Sequence, residues 1–346
     1  MTEGVPGQPL GQALGQMLDR RAWLLGLGGL AAAGSAAWWS TGPASIASVP
    51  ALAPATTPTS SPGGTWDPPV PNVTALPQAP TLPVEPPGEV PGTPPPRAEP
   101  PPVDPSSPAW MRYAQAYQDG DGRPVIAIIV DDVGIDRARV RRTLALPPEV
   151  TLAVMTYASD AAFLAREARA EGHEVMAHVP MQPTGAIDPG PQALTLGLSE
   201  AEVLRRLRWG LDRVPGAVGL NNHMGSRFTE DGRAMAPVLA EVRRRRLLFV
   251  DSRTSGRSVA ARESERAGIP TLQRQVFLDN DPAASAVRAQ LTTLIASAKR
   301  SGRAIAIGHP YDSTLALLAD WVPRAAQDGV SVVPITSVYR LGLGRA

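Results

Sequence analysis

The sequence predicts an irregular (β/α) barrel of seven or eight parallel strands over residues 109–346. Three observations predict it. Short apolar runs recur near residues 125–131, 150–155, 174–179, 216–221, 247–251, 269–273, 303–308 and 331–335. Amphipathic stretches rich in Ala, Leu and Arg lie between most of them, at 136–145, 159–171, 199–213, 233–245, 284–300 and 313–327. Several of the runs stop abruptly on Asp, Asn or His. Apolar runs of this length read as buried parallel strands, and their alternation with helical stretches reads as crossover units. A doubly wound open sheet is the alternative. Both architectures gather ligands at the C-terminal ends of the strands.

Two regions precede that domain. Residues 1–40 combine a polar tip ending in Asp19-Arg20-Arg21 with an apolar, charge-free run over 22–39. This reads as a signal anchor or signal peptide, with the N-terminus inside and the remainder exported, because the basic residues precede the run. Arg20-Arg21 before Ala22-Trp23-Leu24-Leu25 also resembles a twin-arginine export signal. A buried helix is disfavoured, because no polar stripe breaks the run. Residues 41–108 hold more than half of the 38 prolines, with Ser, Thr, Gly and Ala between them. Such a segment has too little apolar surface to fold, and it reads as a disordered, semi-rigid spacer.

Composition removes several classes. The net charge of +1 offers no electrostatic case for nucleic acid. The absence of cysteine excludes disulfides, thiolate metal sites and a cysteine nucleophile.

The chemistry is carried by the ends of the strands. The run Val125 to Val130 stops on Asp131-Asp132-Val133-Gly134. Two adjacent carboxylates after a buried strand are costly unless a cation neutralises them. One of the pair can then bind metal while its neighbour takes a proton from water. A helix N-cap is the bland alternative, and Asp136 or Gly134 is available for that task. Val175-Met176-Ala177 stops on His178, whereas His173 begins the same strand and so lies at the other end, a structural position. Gly219-Leu220 stops on Asn221-Asn222-His223, which offers a second imidazole and two amides that can fix a neighbouring side chain or a sugar hydroxyl. Phe249-Val250 stops on Asp251, placed to orient a catalytic group, with Ser252 or Thr254 placed to cap the next helix. Ile305-Ala306-Ile307-Gly308 stops on His309, whose natural role is a general acid. Carboxylate and imidazole converging at one mouth are what a divalent metal and a hydrolytic water require.

These motifs, in this order, resemble the divergent polysaccharide deacetylase family, a distant branch of the NodB-type metal-dependent carbohydrate deacetylases. Asp131-Asp132-Val133-Gly134, His178-Val179-Pro180-Met181-Gln182-Pro183, Leu220 through Ser226, Val250 through Thr254 and Gly308-His309-Pro310 carry the resemblance, which spans residues 122–342. It implies a deformed barrel and hydrolysis of the N-acetyl amide of an envelope glycan. It implies Asp131 as base, Asp132 and His178 as metal ligands, and His309 as acid. Such enzymes place a second metal histidine four residues after the first. Here that position is Gln182, and His223 is the replacement. The Arg-Pro segment usual on the next strand is likewise replaced by Asn221-Asn222-His223-Met224-Gly225.

The expected protein is therefore a zinc-dependent amidohydrolase of the bacterial periplasm, either anchored in the inner membrane through residues 22–39 or exported with that segment cleaved. Asp131 and His309 are its catalytic pair, and Asp132, His178 and His223 its metal ligands. Asn221, Asn222, Asp251 and Gln182 support them. The rival expectation is a non-catalytic module that binds glycan or a cell-wall hydrolase.

Overall fold

The computed structural model describes residue 104, residues 106–116 and residues 122–343. The expected signal segment lies outside the described residues, as does nearly all of the proline-rich spacer. No described helix is long and apolar enough to cross a membrane.

The described chain opens on a short helix, α1 (Ala109–Arg112). It then alternates through β1 (Val125–Val133), α2 (Arg137–Leu144), β2 (Thr151–Met155), α3 (Ala161–Ala170), β3 (Val175–Met181), α4 (Glu200–Asp212) and β4 (Gly219–Met224). The second half continues with α5 (Gly232–Arg245), β5 (Leu248–Asp251), α6 (Ala260–Arg266), β6 (Thr271–Gln273), β7 (Val276–Phe277), α7 (Ala284–Ser301), β8 (Arg303–Gly308) and α8 (Asp312–Trp321). It ends with β9 (Ser331–Val332) and α9 (Ile335–Leu343). All strand pairs are parallel, in the order β6-β5-β4-β3-β2-β1-β8-β7, with β9 beside the start of β1.

The sheet closes through one segment. Residues 271–277 pair first with β5 and then with β8. At the junction Arg274 gives its N–H to Asp251 O, and Gln275 gives its own to Ile305 O on the other side. Alternate amides of a strand face opposite neighbours, so β6 and β7 act as two halves of a single staved strand. The parallel, helix-wrapped barrel expected from the sequence is the fold observed.

A period of two sorts the strand residues into two cores. Ile126, Ile128, Val130, Leu152, Val154, Ala304 and Ala306 pack outward with the helices. Val125, Ala127, Ile129, Ala153, Met176, Val250, Leu272, Ile305 and Ile307 fill the interior. Trp110 of α1 and Ile335 and Val338 of α9 join that interior group. They close the barrel at the N-terminal ends of its strands. The buried Glu174 carboxylate binds the closure together, accepting from Gln115 N at 3.0 Å, Thr336 N at 3.0 Å and Thr336 Oγ1 at 2.5 Å. His173 lies at this same end, with its ring nitrogens 2.8 and 3.1 Å from the carbonyls of Val150 and Leu144.

Candidate metal centre and active site

The inward parity that places Ile129, Met176 and Ile307 in the interior continues to Asp131, His178 and His309. Asp132, being adjacent to Asp131, would point outward in a regular strand. It does not, because the register of β1 against β2 shifts between Val130 and Val133. Asp132 takes a left-handed backbone with φ of 58°. This bulge turns both carboxylates toward the mouth. Asp tolerates that region better than most side chains. Gly134 follows with φ of 103°, and a Cβ there would stand 2.8 Å from Ala158 Cβ. The rival capping role belongs to Asp136, whose carboxylate accepts from Ala138 N at the start of α2.

Asp132, His178 and His223 meet. His178 Nε2 lies 3.3 Å from Asp132 Oδ1, His223 Nδ1 lies 2.9 Å from the same oxygen, and the two ring nitrogens are 3.3 Å apart. Asp132 Oδ1 is buried and makes no hydrogen bond of acceptable geometry. Three atoms with lone pairs thus converge where no protein donor serves them all. Ligands of a tetrahedral zinc at bond lengths near 2.1 Å stand roughly 3.4 Å apart, close to the edges of this triangle. The residues present fit a divalent cation.

The electrostatics agree with the geometry. Burial works to raise the Asp132 pKa, but the close imidazoles of His178 and His223 outweigh it and hold the carboxyl below its usual range. Burial works to lower that of His178, and the Asp131 and Asp132 charges outweigh it and raise it. Asp131 is buried, and desolvation raises its pKa against the pull of His178, His309 and Asn221. The site therefore balances its paired carboxylates with positive charge.

Asn221 joins the two halves of this arrangement. Its Oδ1 lies 2.9 Å from His178 Nδ1, and its Nδ2 donates to Asp131 Oδ1 at 2.8 Å. The first contact makes Nδ1 the protonated nitrogen of His178 and leaves Nε2 free to ligate. His309 sits across the mouth, its Nε2 3.9 Å from Asp132 Oδ2. Its Nδ1 donates to Asp279 Oδ1 at 3.0 Å, and its backbone N–H donates to Asp279 Oδ2 at 2.6 Å. Thr314 Oγ1 donates to the same Oδ2 at 2.8 Å.

The other expected residues organise loops instead. Asn222 accepts from Ser252 N at 3.0 Å and donates to Met224 O at 2.7 Å. Asp251 does not reach a catalytic group: its oxygens accept from Arg253 N and Ser258 Oγ at 2.8 and 2.7 Å. Gln182 uses its side-chain oxygen on Leu196 N at 2.7 Å, stitching the loop after β3. Neither Ser252 nor Thr254 caps α6, which starts after Val259, because Thr254 Oγ1 donates to Met224 O instead. Sequence reasoning missed Asp279. Its signal was the same as elsewhere, an apolar run of Val276-Phe277-Leu278 ending on an acid.

Residues 128–339 match the divergent polysaccharide deacetylase family. An uncharacterized protein of Haemophilus influenzae is 34% identical over 215 residues, covering 62% of this chain and 76% of that one. The Escherichia coli K12 protein YibQ, also uncharacterized, is 34% identical over 213 residues, covering 62% of this chain and 66% of its own length. Among solved structures, an uncharacterized protein from Agrobacterium tumefaciens C58 superposes with a TM-score of 0.65 at 26% identity, covering 67% of this chain and 95% of that one.

Proposed function

Because the chain belongs to the divergent polysaccharide deacetylase family, we propose that it is a metal-dependent amidohydrolase that removes acetyl groups from an N-acetylated glycan of the bacterial envelope. The observation that carries this reading is the triangle of Asp132 Oδ1, His178 Nε2 and His223 Nδ1, flanked by one carboxylate and one carboxylate-backed imidazole. A divalent ion held by those three residues, zinc by the chemistry of the donors, would supply Lewis acidity and make water nucleophilic near neutral pH.

The protein's own groups then divide the proton transfers. Asp131 is held by Asn221 through Oδ1, so Oδ2 faces the triangle, 3.5 Å from His178 Nε2. Its raised pKa makes it a stronger base than an exposed aspartate. It takes the proton of the attacking water. His309 stands on the other side with Nδ1 committed to Asp279, so Nε2 delivers a proton to the departing amine. Burial opposes charging this imidazole, but the Asp279 hydrogen bond and the Asp131, Asp132 and Asp279 charges raise its pKa to about 9. The general acid is thus loaded at neutral pH.

Envelope placement is supported by the apolar run over 22–39 behind Arg20-Arg21. The test is acetate release from N-acetylglucosamine oligomers by the metal-loaded protein. Release that a chelator abolishes and zinc restores is the expected result. Bound metal with no release from any N-acetylated oligomer would leave a glycan-binding module as the better description.

A further inference from the structure

We infer that the glycan taken by this site carries a carboxylate, and that Arg253 and Arg274 form the subsite that receives it. The inference rests on the deacetylase reading for the nature of the substrate, and on separate residues for the anion.

Arg274 sits at the junction of β6 and β7 with the inward parity of Leu272. Its guanidinium is half-buried and rigid. Nε donates to Ser252 O at 2.6 Å, Nη2 donates to Arg253 O at 2.7 Å, and the group lies over the Phe277 ring at 4.7 Å. Phe277 in turn meets the His309 imidazole edge-on, with ring centroids 5.3 Å apart. The Phe277 ring therefore touches both the cation and the proposed acid. Its bonds are to neutral carbonyls only, and a half-buried guanidinium with no carboxylate in contact is a receptor for an anion.

Arg253 completes the pair. It lies two residues beyond β5, the strand next to the one that carries His223, and Thr254 Oγ1 fastens its loop to Met224 O at 2.8 Å. Its backbone is held in the left-handed region, φ 48°, between the Asp251 carboxylate at its N–H and Arg274 at its carbonyl. A non-glycine residue kept in that region by two side chains marks a position where the direction of the side chain matters. Arg253 is exposed, and among the described residues no carboxylate pairs with it or with Arg274. Asp251 is engaged on Arg253 N and Ser258, Glu230 on Arg257 and Ser255, and Asp131 acts on Arg274 through its charge without forming an ion pair. Burial above all lowers the Arg274 pKa, the Asp131 charge opposes it, and the Arg253 charge adds to the lowering more weakly. An incoming carboxylate relieves the like-charge repulsion. Two planar forks suit a carboxylate, which accepts two parallel bonds from each.

The test uses two ligands of equal length, an N-acetylated oligosaccharide bearing a free carboxyl group and the same oligosaccharide with that carboxyl amidated. Calorimetric binding to the full chain, with chelator present so that nothing turns over, should favour the free acid by about tenfold or more. Arg253→Gln should bring the ratio close to one. Arg288→Gln, the same charge change on the exposed face of α7, should leave it intact. Equal wild-type affinities overturn the proposal, as does a preference that survives Arg253→Gln. Binding of free lactate that is lost in Arg253→Gln, without any preference between the oligosaccharides, also overturns it, by assigning the pair to a small anion. Acetate release from the same two ligands is read separately. No release from either sinks the deacetylase reading, while the calorimetric ratio still decides the subsite.

Discussion

Asp279 holds His309 by two atoms at once, taking the ring Nδ1 proton on Oδ1 at 3.0 Å and the backbone N–H on Oδ2 at 2.6 Å. The clamp fixes both where the imidazole stands and which nitrogen faces Asp132. It also provides the largest push raising the His309 pKa to about 9.

Replacing Asp279 by Asn should therefore lower deacetylation by roughly 10²-fold or more, since a general acid in the wrong tautomer cannot deliver its proton. The sign of the pH effect follows from the raised pKa. His309 is protonated below about 9 and loses its proton above. In Asp279→Asn the alkaline fall of kcat/KM should move to lower pH. An unchanged alkaline limb would assign that limb to another group.

Asp131→Asn should retain metal, because Asp132, His178 and His223 are untouched, and lose about 10²- to 10⁴-fold in turnover. His178→Ala should lose both metal and turnover. Metal content by elemental analysis, set against acetate release, separates the two. Loss of metal in Asp131→Asn would make Asp131 a ligand instead of the base.

Asn221→Leu leaves His178 Nδ1 and Asp131 Oδ1 facing an apolar group in a buried site. An orphaned buried polar group costs about 1–3 kcal/mol. Loss of the partner that orients a ligating imidazole weakens metal binding about 10- to 100-fold. Urea unfolding of the metal-free protein and zinc titration should show the two losses independently. A variant with unaltered zinc affinity would reduce Asn221 to a packing residue.

Glu241 on α5 sets an acid limit on stability. Arg244 above all, then Arg245 and Arg208, hold its carboxyl down at about 2 against burial, from an ordinary 4.5. A depressed carboxylate stabilises the fold above its ordinary pKa and loses that contribution as pH falls through the folded value. The melting temperatures of wild type and Glu241→Gln should therefore differ most above pH 4.5 and converge as pH drops toward 2. A gap that stays constant over this range would rule out the ion cluster as its source.

Strand ends were legible in the sequence because burial forces apolar composition up to the last residue and the site then forces polarity at the next. That rule located Asp131, Asp132, His178, His223 and His309 without any tertiary knowledge. It gave no way to tell a side chain that reaches the centre from one that ties a loop, which is why Asp251 and Gln182 were placed with the site. Asp279 was passed over because β7 has only two residues and borrows its pairing from a neighbour already in use. The bend that gathers Asp131 and Asp132 on one side depends on a register shift set by the facing strand. Helix α9 was missing from the expectation for a related reason. It forms where Glu174 takes the N–H and hydroxyl of Thr336, and where Ile335 and Val338 find the open end of the barrel.

That closed end also fixes a direction. Residues 106–116 approach the barrel at the end opposite His178, with Trp110 seated in the floor and Ser106 O accepting from Arg246. The six residues Val125–Val130 of β1, at about 3.3 Å each, separate that floor from the carboxylates above it. Residues 106–116 therefore reach the barrel at its closed end, and the open face that carries His178 and His309 lies on the opposite side.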